Sequence, residues 1–226
     1  MRIMIWLSHL VALALLILLP IVFADIMAAS LAKLHLSHSA AVQLMIGIIL
    51  GGFINIPIVR IEQPEDVPVR PLAIFGLDQA LPEVTRMRRQ TIIAVNLGGC
   101  VIPFGLVLYE LIYLAHLGVT FLAPVFIACI VTVVVCYFFA QPLPGVGIVM
   151  PGFIPPLAAI MTALLLAPTE APATAFIAGV LGPLIGADLL HLRSITKVAT
   201  TGVASIGGAG TFDGIVLSGI LAAYLA

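Results

Sequence analysis

Two aspartates in the last quarter of the sequence have the chemical character of a site. Asp188 and Asp213 lie in separate apolar segments, in the stretches "GADLLHL" and "GGAGTFDGI". A carboxylate inside a membrane segment costs about 2.5–3.5 kcal/mol on insertion scales and generally marks a functional position. Two neighbouring carboxylates cannot both ionise easily, so that one keeps its proton. Such a pair is suited to activating water, as in aspartic proteases, or to binding a proton or cation.

Three more polar side chains are candidates for binding a substrate or an ion. Asn55 ends the apolar stretch "GGFIN", and Asn96 begins the stretch "NLGGCVIP". His191 follows Asp188 by three residues, which places both side chains on one face of a helix. Asparagines in apolar segments also serve as hydrogen-bonding contacts between helices. Both interpretations of the asparagines remain open at this stage.

The two aspartates also have a structural interpretation. Asp188 lies near the end of its apolar segment, where its carboxylate would pair with Arg193 or Lys197. Asp213 follows the glycine-rich turn "SIGGAGT", where an aspartate would cap the start of a helix. In either case the carboxylate would stabilise the fold without taking part in chemistry.

The composition places the chain among multi-pass membrane proteins. It is 62% hydrophobic and 8% charged, with a mean hydropathy of +1.28, whereas soluble domains carry roughly 25% charged residues. The net charge of −1 gives no indication of nucleic-acid binding. The cysteines all fall in apolar runs without metal-ligand spacing, which favours buried packing; they are Cys100, Cys129 and Cys136. No motif for a metal or cofactor is recognised.

Membrane-spanning helices must therefore position the polar residues. A span needs about 20 apolar residues, and the sequence predicts an all-α bundle that forms a single membrane domain, with several helices interrupted by proline or glycine. The predicted spans are 3–23, 40–59, 90–115, 119–140, 148–167, 173–192 and 208–226. Retention of the first span is favoured over cleavage after "VFA", because the apolar run is longer than that of a signal peptide.

The basic residues predict the orientation. Eight of the nine Lys and Arg residues fall on one side if the N-terminus and the loop 60–89 are cytoplasmic and the C-terminus is outside. That distribution predicts an integral membrane protein with its N-terminus inside. Asn55, Asn96, Asp188 and Asp213 would then all lie roughly 7–10 Å below the cytoplasmic surface.

The remaining partners follow from the membrane location. The bilayer itself is one, and membrane-protein partners or a homo-oligomer are compatible with the sequence. The stretch "LPEVTRMRRQ" is predicted to begin a surface helix. Its arginines either bind anionic lipid headgroups or serve as general cytoplasmic anchors; they are Arg86, Arg88 and Arg89.

Five stretches of the sequence carry a family resemblance. They are "GFINIPI", "NLGGCVIP", "GVGIVMPGFIPP", "GADLLHL" and "SIGGAGTFDGI". Together they resemble a family of bacterial and archaeal membrane proteins known as domain of unknown function 1614, over about residues 45–226. The resemblance implies a multi-pass membrane fold in the cytoplasmic (inner) membrane of a prokaryote and supplies no activity.

A more distant likeness concerns mechanism. Intramembrane aspartyl proteases use two aspartates on different spans, one of them in a Gly-x-Gly-Asp motif. The nearest forms here are Gly186-Ala187-Asp188 and Gly210-Thr211-Phe212-Asp213, and neither matches the motif. Three functions therefore remain open: an intramembrane aspartyl hydrolase, a proton- or cation-coupled transporter of a small solute, and a structural or assembly subunit.

Overall fold

The chain forms a mostly helical structure with two small sheets. The computed structural model describes residues 2–69, 85–143, 147–192 and 202–226. Seven α-helices occur in these ranges: α1 (Arg2–Ala32), α2 (His38–Gly51), α3 (Ile102–Leu117), α4 (Leu122–Phe139), α5 (Ile154–Leu166), α6 (Ala171–Leu181) and α7 (Gly214–Leu225). The α1–α2, α3–α4 and α5–α6 connections are short, whereas the strands lie in the connections α2–α3, α4–α5 and α6–α7.

Three helical segments in the described ranges are long and apolar enough to cross a membrane. They are Leu97–Leu117, Val119–Phe139 and Pro168–Leu189. With 21 or 22 residues each, they extend about 31–33 Å, which matches a hydrocarbon core of about 30 Å. These segments indicate an integral membrane protein in contact with lipid. Helices α2, α5 and α7, with 14, 13 and 12 residues, extend only about 18–21 Å.

The strands were not anticipated. The larger sheet has the order β1-β2-β5, in which β1 and β2 are antiparallel and β2 and β5 are parallel. A second sheet is the antiparallel hairpin of β3 and β4. The strands are β1 (Asn55–Val69), β2 (Thr85–Asn96), β3 (Gln141–Leu143), β4 (Gly147–Val149) and β5 (Gly202–Ile206). The prediction of an all-α fold was therefore wrong in this respect.

Two predicted spans end or begin as strands for a local reason. Span 40–59 stops being helical at Gly51, and span 90–115 remains extended until Asn96. The sequences "INIPIVRI" and "TIIAV" are rich in β-branched residues, which favour strands. Pro57 lacks a backbone N–H, but β1 is an edge strand, where such a residue is tolerated. The surface helix predicted across residues 81–90 is likewise absent from 85–90, which belong to β2.

The stretch "MPGFIPP" begins a helix instead of interrupting one. Helix α5 starts at Ile154, so that Pro155 and Pro156 occupy its first turn. Proline is favoured there because the first N–H groups of a helix have no partner within the helix.

Glycines allow α6 and its π-helical continuation to approach neighbouring helices closely. A Cβ on Gly182 would overlap the side chain of Thr132 on α4, and one on Gly186 would overlap the Val133 carbonyl oxygen. A larger residue at either position would force α4 and the π-helical segment apart.

A histidine joins three elements at the end of the bundle away from the larger sheet. The His35 ring lies between two carboxylates, with Nδ1 2.8 Å from Glu110 Oε2 and Nε2 3.2 Å from Glu170 Oε2. The His35 backbone N–H also donates to Glu110 Oε1 at 3.1 Å, and the ring stacks on Tyr113. Glu110 is fully buried on α3, so its hydrogen bonds to His35 hold the α1–α2 turn against the bundle.

We expect His35→Ala to lower the free energy of unfolding by about 2 kcal/mol, because the buried Glu110 carboxylate loses its side-chain partner. Thermal unfolding of the purified protein in detergent measures the effect. His38→Ala is the matched control, because His38 is exposed three residues further on and its removal is expected to change stability by less than about 0.5 kcal/mol. Equal losses in the two variants would contradict the role of His35.

Candidate functional site

Three of the predicted site residues line one cavity, which we call the polar cavity. Its volume is about 450 Å³, within the range of roughly 300–1,000 Å³ of small-ligand sites. Asp188 and Asp213 lie on its wall together with Asn55. Their companions are Gly147, Ile148, Leu192 and residues 203–209. The cavity is thus built where the larger sheet meets α7 and the end of the α6 segment.

Asp213 caps the helix that follows it. Its Oδ1 accepts a hydrogen bond from the Ile215 N–H at 3.0 Å, and its Oδ2 accepts one from the Ala209 N–H at 3.3 Å. Helix α7 begins at Gly214, so Asp213 precedes the helix instead of lying about six residues inside a span. The capping geometry agrees with the structural interpretation of this residue, while its carboxylate still lines the polar cavity.

Asp188 lies on an irregular part of its helix. The α-helical pattern of α6 changes at Gly182 into a π-helical segment, Gly182–Leu189. Pro183 lacks an N–H for the α-helical hydrogen bond, which permits this change, and the wider pattern is evident where Leu190 N–H donates to the Ile185 carbonyl. π-Helical turns occur frequently at functional sites. Here the segment carries Asp188 to the wall of the polar cavity.

Asp188 and Asp213 line the same cavity, where their like charges would repel each other. The backbone N–H of Gly207, at the end of β5, also interacts with the Asp188 carboxyl group. Both aspartates therefore have a backbone amide as a polar neighbour, supplied by the same glycine-rich turn. The electrostatic repulsion between the carboxylates would be relieved by a proton or by a cation bound between them.

Asn96 does not line the polar cavity but forms hydrogen bonds with the segments around it. It is fully buried, its Nδ2 donates to the Gly52 carbonyl at 2.8 Å and to Asn55 Oδ1 at 3.0 Å, and its Oδ1 accepts from the Gly99 N–H at 2.7 Å. Ser205 Oγ also donates to Asn55 Oδ1, at 2.6 Å. Asn96 thereby ties α2, β1 and α3 together and does not line the polar cavity, whereas Asn55 does.

Three Gly-Gly pairs converge behind this network. The pairs are at 51–52, 98–99 and 207–208, and the first and the third each have backbone atoms in contact with the second, so that a Cβ on Gly51, Gly98, Gly99 or Gly207 would overlap a facing backbone. A Cβ on Gly98 would meet the Ile48 carbonyl oxygen, and one on Gly99 would meet the Gly207 carbonyl oxygen. Gly207 adopts a φ of 70°, in the left-handed region that favours glycine. Asn55 and Asn96 themselves are paired across β1 and β2, and the glycine contacts lie beside that pair.

His191 and the basic residues are not part of the described cavity wall. The His191 Nδ1 lies 3.1 Å from the Gly186 carbonyl oxygen and 3.0 Å from that of Ala187, and its ring packs against Tyr137. Arg193 and Lys197, the alternative partners of Asp188, lie outside the described residues. The same holds for the side chains of the lipid-binding candidates Arg86, Arg88 and Arg89, although their backbone belongs to β2.

Sequence reasoning missed one contributor to the site. Ser205 was not considered because it lies in a strand that the hydropathy pattern did not reveal. The prediction that Cys100 is buried is confirmed, and it does not line the polar cavity. The signal that would have found this region is the recurrence of Gly-Gly beside Asn or Ser in three separate stretches. Among the described residues, no group of three or more His, Cys, Asp or Glu side chains is arranged for a metal ion.

The comparisons with known proteins identify a family. A family described as "Protein of unknown function (DUF1614)" matches residues 49–225. The chain belongs to the DUF1614 family. The residues that match the family include α3 to α7 and all three Gly-Gly pairs. Every residue that lines the polar cavity therefore lies within the matched range. No curated protein and no solved structure matches the chain.

The likeness to intramembrane aspartyl proteases has no support in these comparisons. In aspartic proteases two carboxylates share a proton and act on water and substrate. In this DUF1614 member both oxygens of Asp213 accept hydrogen bonds from backbone N–H groups.

Proposed function

We propose that the protein is a proton- or cation-coupled transporter of a small solute, with the polar cavity as its binding site. The observation that carries the proposal is the placement of Asp188, Asp213 and Asn55 around one cavity. Transporter sites combine carboxylates, amides and interrupted helices in this way. Asp188 is assigned the role of principal cation ligand, and Asn55 that of a neutral oxygen ligand.

The charge of the cavity wall supports a cation as the bound species. Among the wall residues that the structure describes, the charged side chains are Asp188 and Asp213. Two interacting carboxylates attract a positive charge and repel an anion. A transported cation would therefore lower the repulsion between them, and its release would restore it.

The irregular backbone supports movement at the same place. The π-helical segment that carries Asp188 is an irregular continuation of α6, and a short 3-10 turn, Gly210–Phe212, precedes α7. Irregular backbone at membrane depth persists where it lines a cavity or is buried in protein. The seven-span arrangement with a cytoplasmic N-terminus and an outside C-terminus belongs to this proposal, with the cavity opening towards the cytoplasm.

Transport of tetramethylammonium by the purified protein in liposomes tests the proposal. This cation keeps its charge at every pH and does not cross lipid as a neutral molecule. We expect it to exchange across the membrane through the wild-type protein, and we expect Asp188→Asn to reduce the rate at least about tenfold, because the attraction of the carboxylate is lost.

Asp25→Asn serves as the matched control for this experiment. Asp25 is an exposed carboxylate on α1, outside the polar cavity, so its replacement is expected to leave the rate unchanged. If the wild-type protein neither transports nor binds tetramethylammonium, or if the two variants behave alike, the cation site is wrong. The structural or assembly subunit would then be the better interpretation.

A further inference from the structure

A second compartment adjoins the polar cavity, and we call it the apolar pocket. Its volume is about 280 Å³. Helix α1, the end of α2 and the turn before α7 form its wall. The lining residues are Pro20, Phe23, Ala24, Met27, Ile49, Gly52, Phe53 and residues 209–212. Phe212 closes it on one side by packing against Phe23, with ring centroids 5.3 Å apart.

The two compartments adjoin at Ala209, an exposed residue that lines both of them. Phe212 lines the apolar pocket, and the next residue, Asp213, lines the polar cavity. In the segment after α2, Gly52 lines the apolar pocket and Asn55 lines the polar cavity. One molecule that reaches past Ala209 would therefore contact a carboxylate at one end and a mostly apolar wall at the other.

We propose that the solute is an amphiphilic ammonium compound, whose charged group occupies the polar cavity and whose single short alkyl chain occupies the apolar pocket. This inference rests on the proposed function, because it names the substrate class of the same site. Charge complementarity places the ammonium group beside Asp188 and Asp213. An apolar cavity of about 150 Å³ holds one benzene molecule, so the apolar pocket accommodates one short chain, whereas a membrane lipid with two long chains exceeds it.

Two quaternary ammonium ions that differ only in one chain test the inference. The protein in lipid nanodiscs is titrated with tetramethylammonium and with decyltrimethylammonium, and empty nanodiscs correct for partition into lipid. We expect decyltrimethylammonium to bind at least about tenfold more tightly, because the burial of two or three methylene groups already accounts for that factor. 1-Decanol, which has the chain without the charge, is expected to compete poorly.

Two alanines one helical turn apart provide a matched pair of variants. Ala24 lines the apolar pocket, whereas Ala28 lines a different apolar pocket beside α2. Ala24→Leu fills the proposed chain site without removing a side chain. It is expected to abolish the tenfold preference for decyltrimethylammonium and to leave tetramethylammonium binding unchanged. Ala28→Leu is expected to preserve both affinities.

The outcomes separate this inference from the proposed function. If tetramethylammonium binding depends on Asp188 but the decyl chain adds nothing, the amphiphile is wrong and the cation site stands. The inference also fails if Ala24→Leu and Ala28→Leu have equal effects, or if Asp188→Asn leaves decyltrimethylammonium binding intact. If neither ammonium ion binds in a manner that depends on Asp188, the proposed function itself is overturned.

Discussion

Gly99→Ala is expected to prevent the protein from folding to its native state, with a loss of about 4 kcal/mol or more in the free energy of unfolding. The added methyl group would overlap the Gly207 carbonyl oxygen and come within 3.1 Å of that of Gly210. Both obstacles are backbone atoms, so no rotamer change relieves them. The β5–α7 turn would have to move, and the contacts around Asn55 and Asn96 would be lost with it.

Gly105→Ala is the matched control for this prediction. Gly105 lies six residues further along, inside α3, and nothing lies within 4 Å of a Cβ built there. Alanine is favoured over glycine in a helix by roughly 0.5–1 kcal/mol, so this variant should be as stable as the wild type or slightly more stable. Yield of monodisperse protein and thermal midpoint in detergent measure both variants. A Gly99→Ala variant as stable as Gly105→Ala would contradict the glycine contact.

Hydropathy alone predicted the class of the protein and the approximate helices, because burial in lipid requires long apolar segments. It did not predict the strands, since a short run of β-branched residues such as "INIPIVRI" is as apolar as the end of a span. In so short an apolar run, the spacing of the hydrophobic residues does not distinguish a buried helix from a buried strand. The pairing of β2 with β5 could not be predicted either, because the paired residues, such as Thr91 and Gly202, are far apart in the chain.

The candidate site was predictable to a different extent at each residue. Asp188, Asp213 and Asn55 drew attention because polar groups are rare in apolar segments, and the structure brings them to one cavity. Asn96 drew attention for the same reason, but its hydrogen bonds are all satisfied by the protein. Asn55 and Asn96 differ because different backbone groups face their side-chain amides. Which groups those are depends on how the three Gly-Gly pairs come together in the fold.

Asp188 and Asp213 are expected to respond differently to substitution, although both are carboxylates on one cavity wall. Asp188→Asn should weaken tetramethylammonium binding by about a hundredfold, which corresponds to about 2.7 kcal/mol, a value typical for the loss of a buried charge partner. Its stability without the cation should be equal to that of the wild type or higher, because the repulsion between the two carboxylates disappears.

Asp213 is expected to be sensitive to the geometry of the substitution. Asparagine is as good an N-cap as aspartate, whereas alanine costs about 1–2 kcal/mol at such a position. Asp213→Asn should therefore keep the hydrogen bond from the Ile215 N–H and most of the stability, while Asp213→Ala should unfold at a lower temperature. The pair of variants separates the loss of the cap from the loss of the charge at the same residue.

The double variant Asp188→Asn/Asp213→Asn completes the comparison. If the carboxylates act on one cation, their effects on tetramethylammonium affinity are coupled, and the double variant should lose less affinity than the two single losses combined predict. Isothermal titration gives the affinities, and thermal unfolding in detergent gives the stabilities. Additive losses of stability in the two asparagine variants, with no change in affinity, would mean that the carboxylates are independent structural groups. Both the cation site and the coupling between its two carboxylates would then be refuted, because the attraction of a shared cation is what makes the two residues depend on each other.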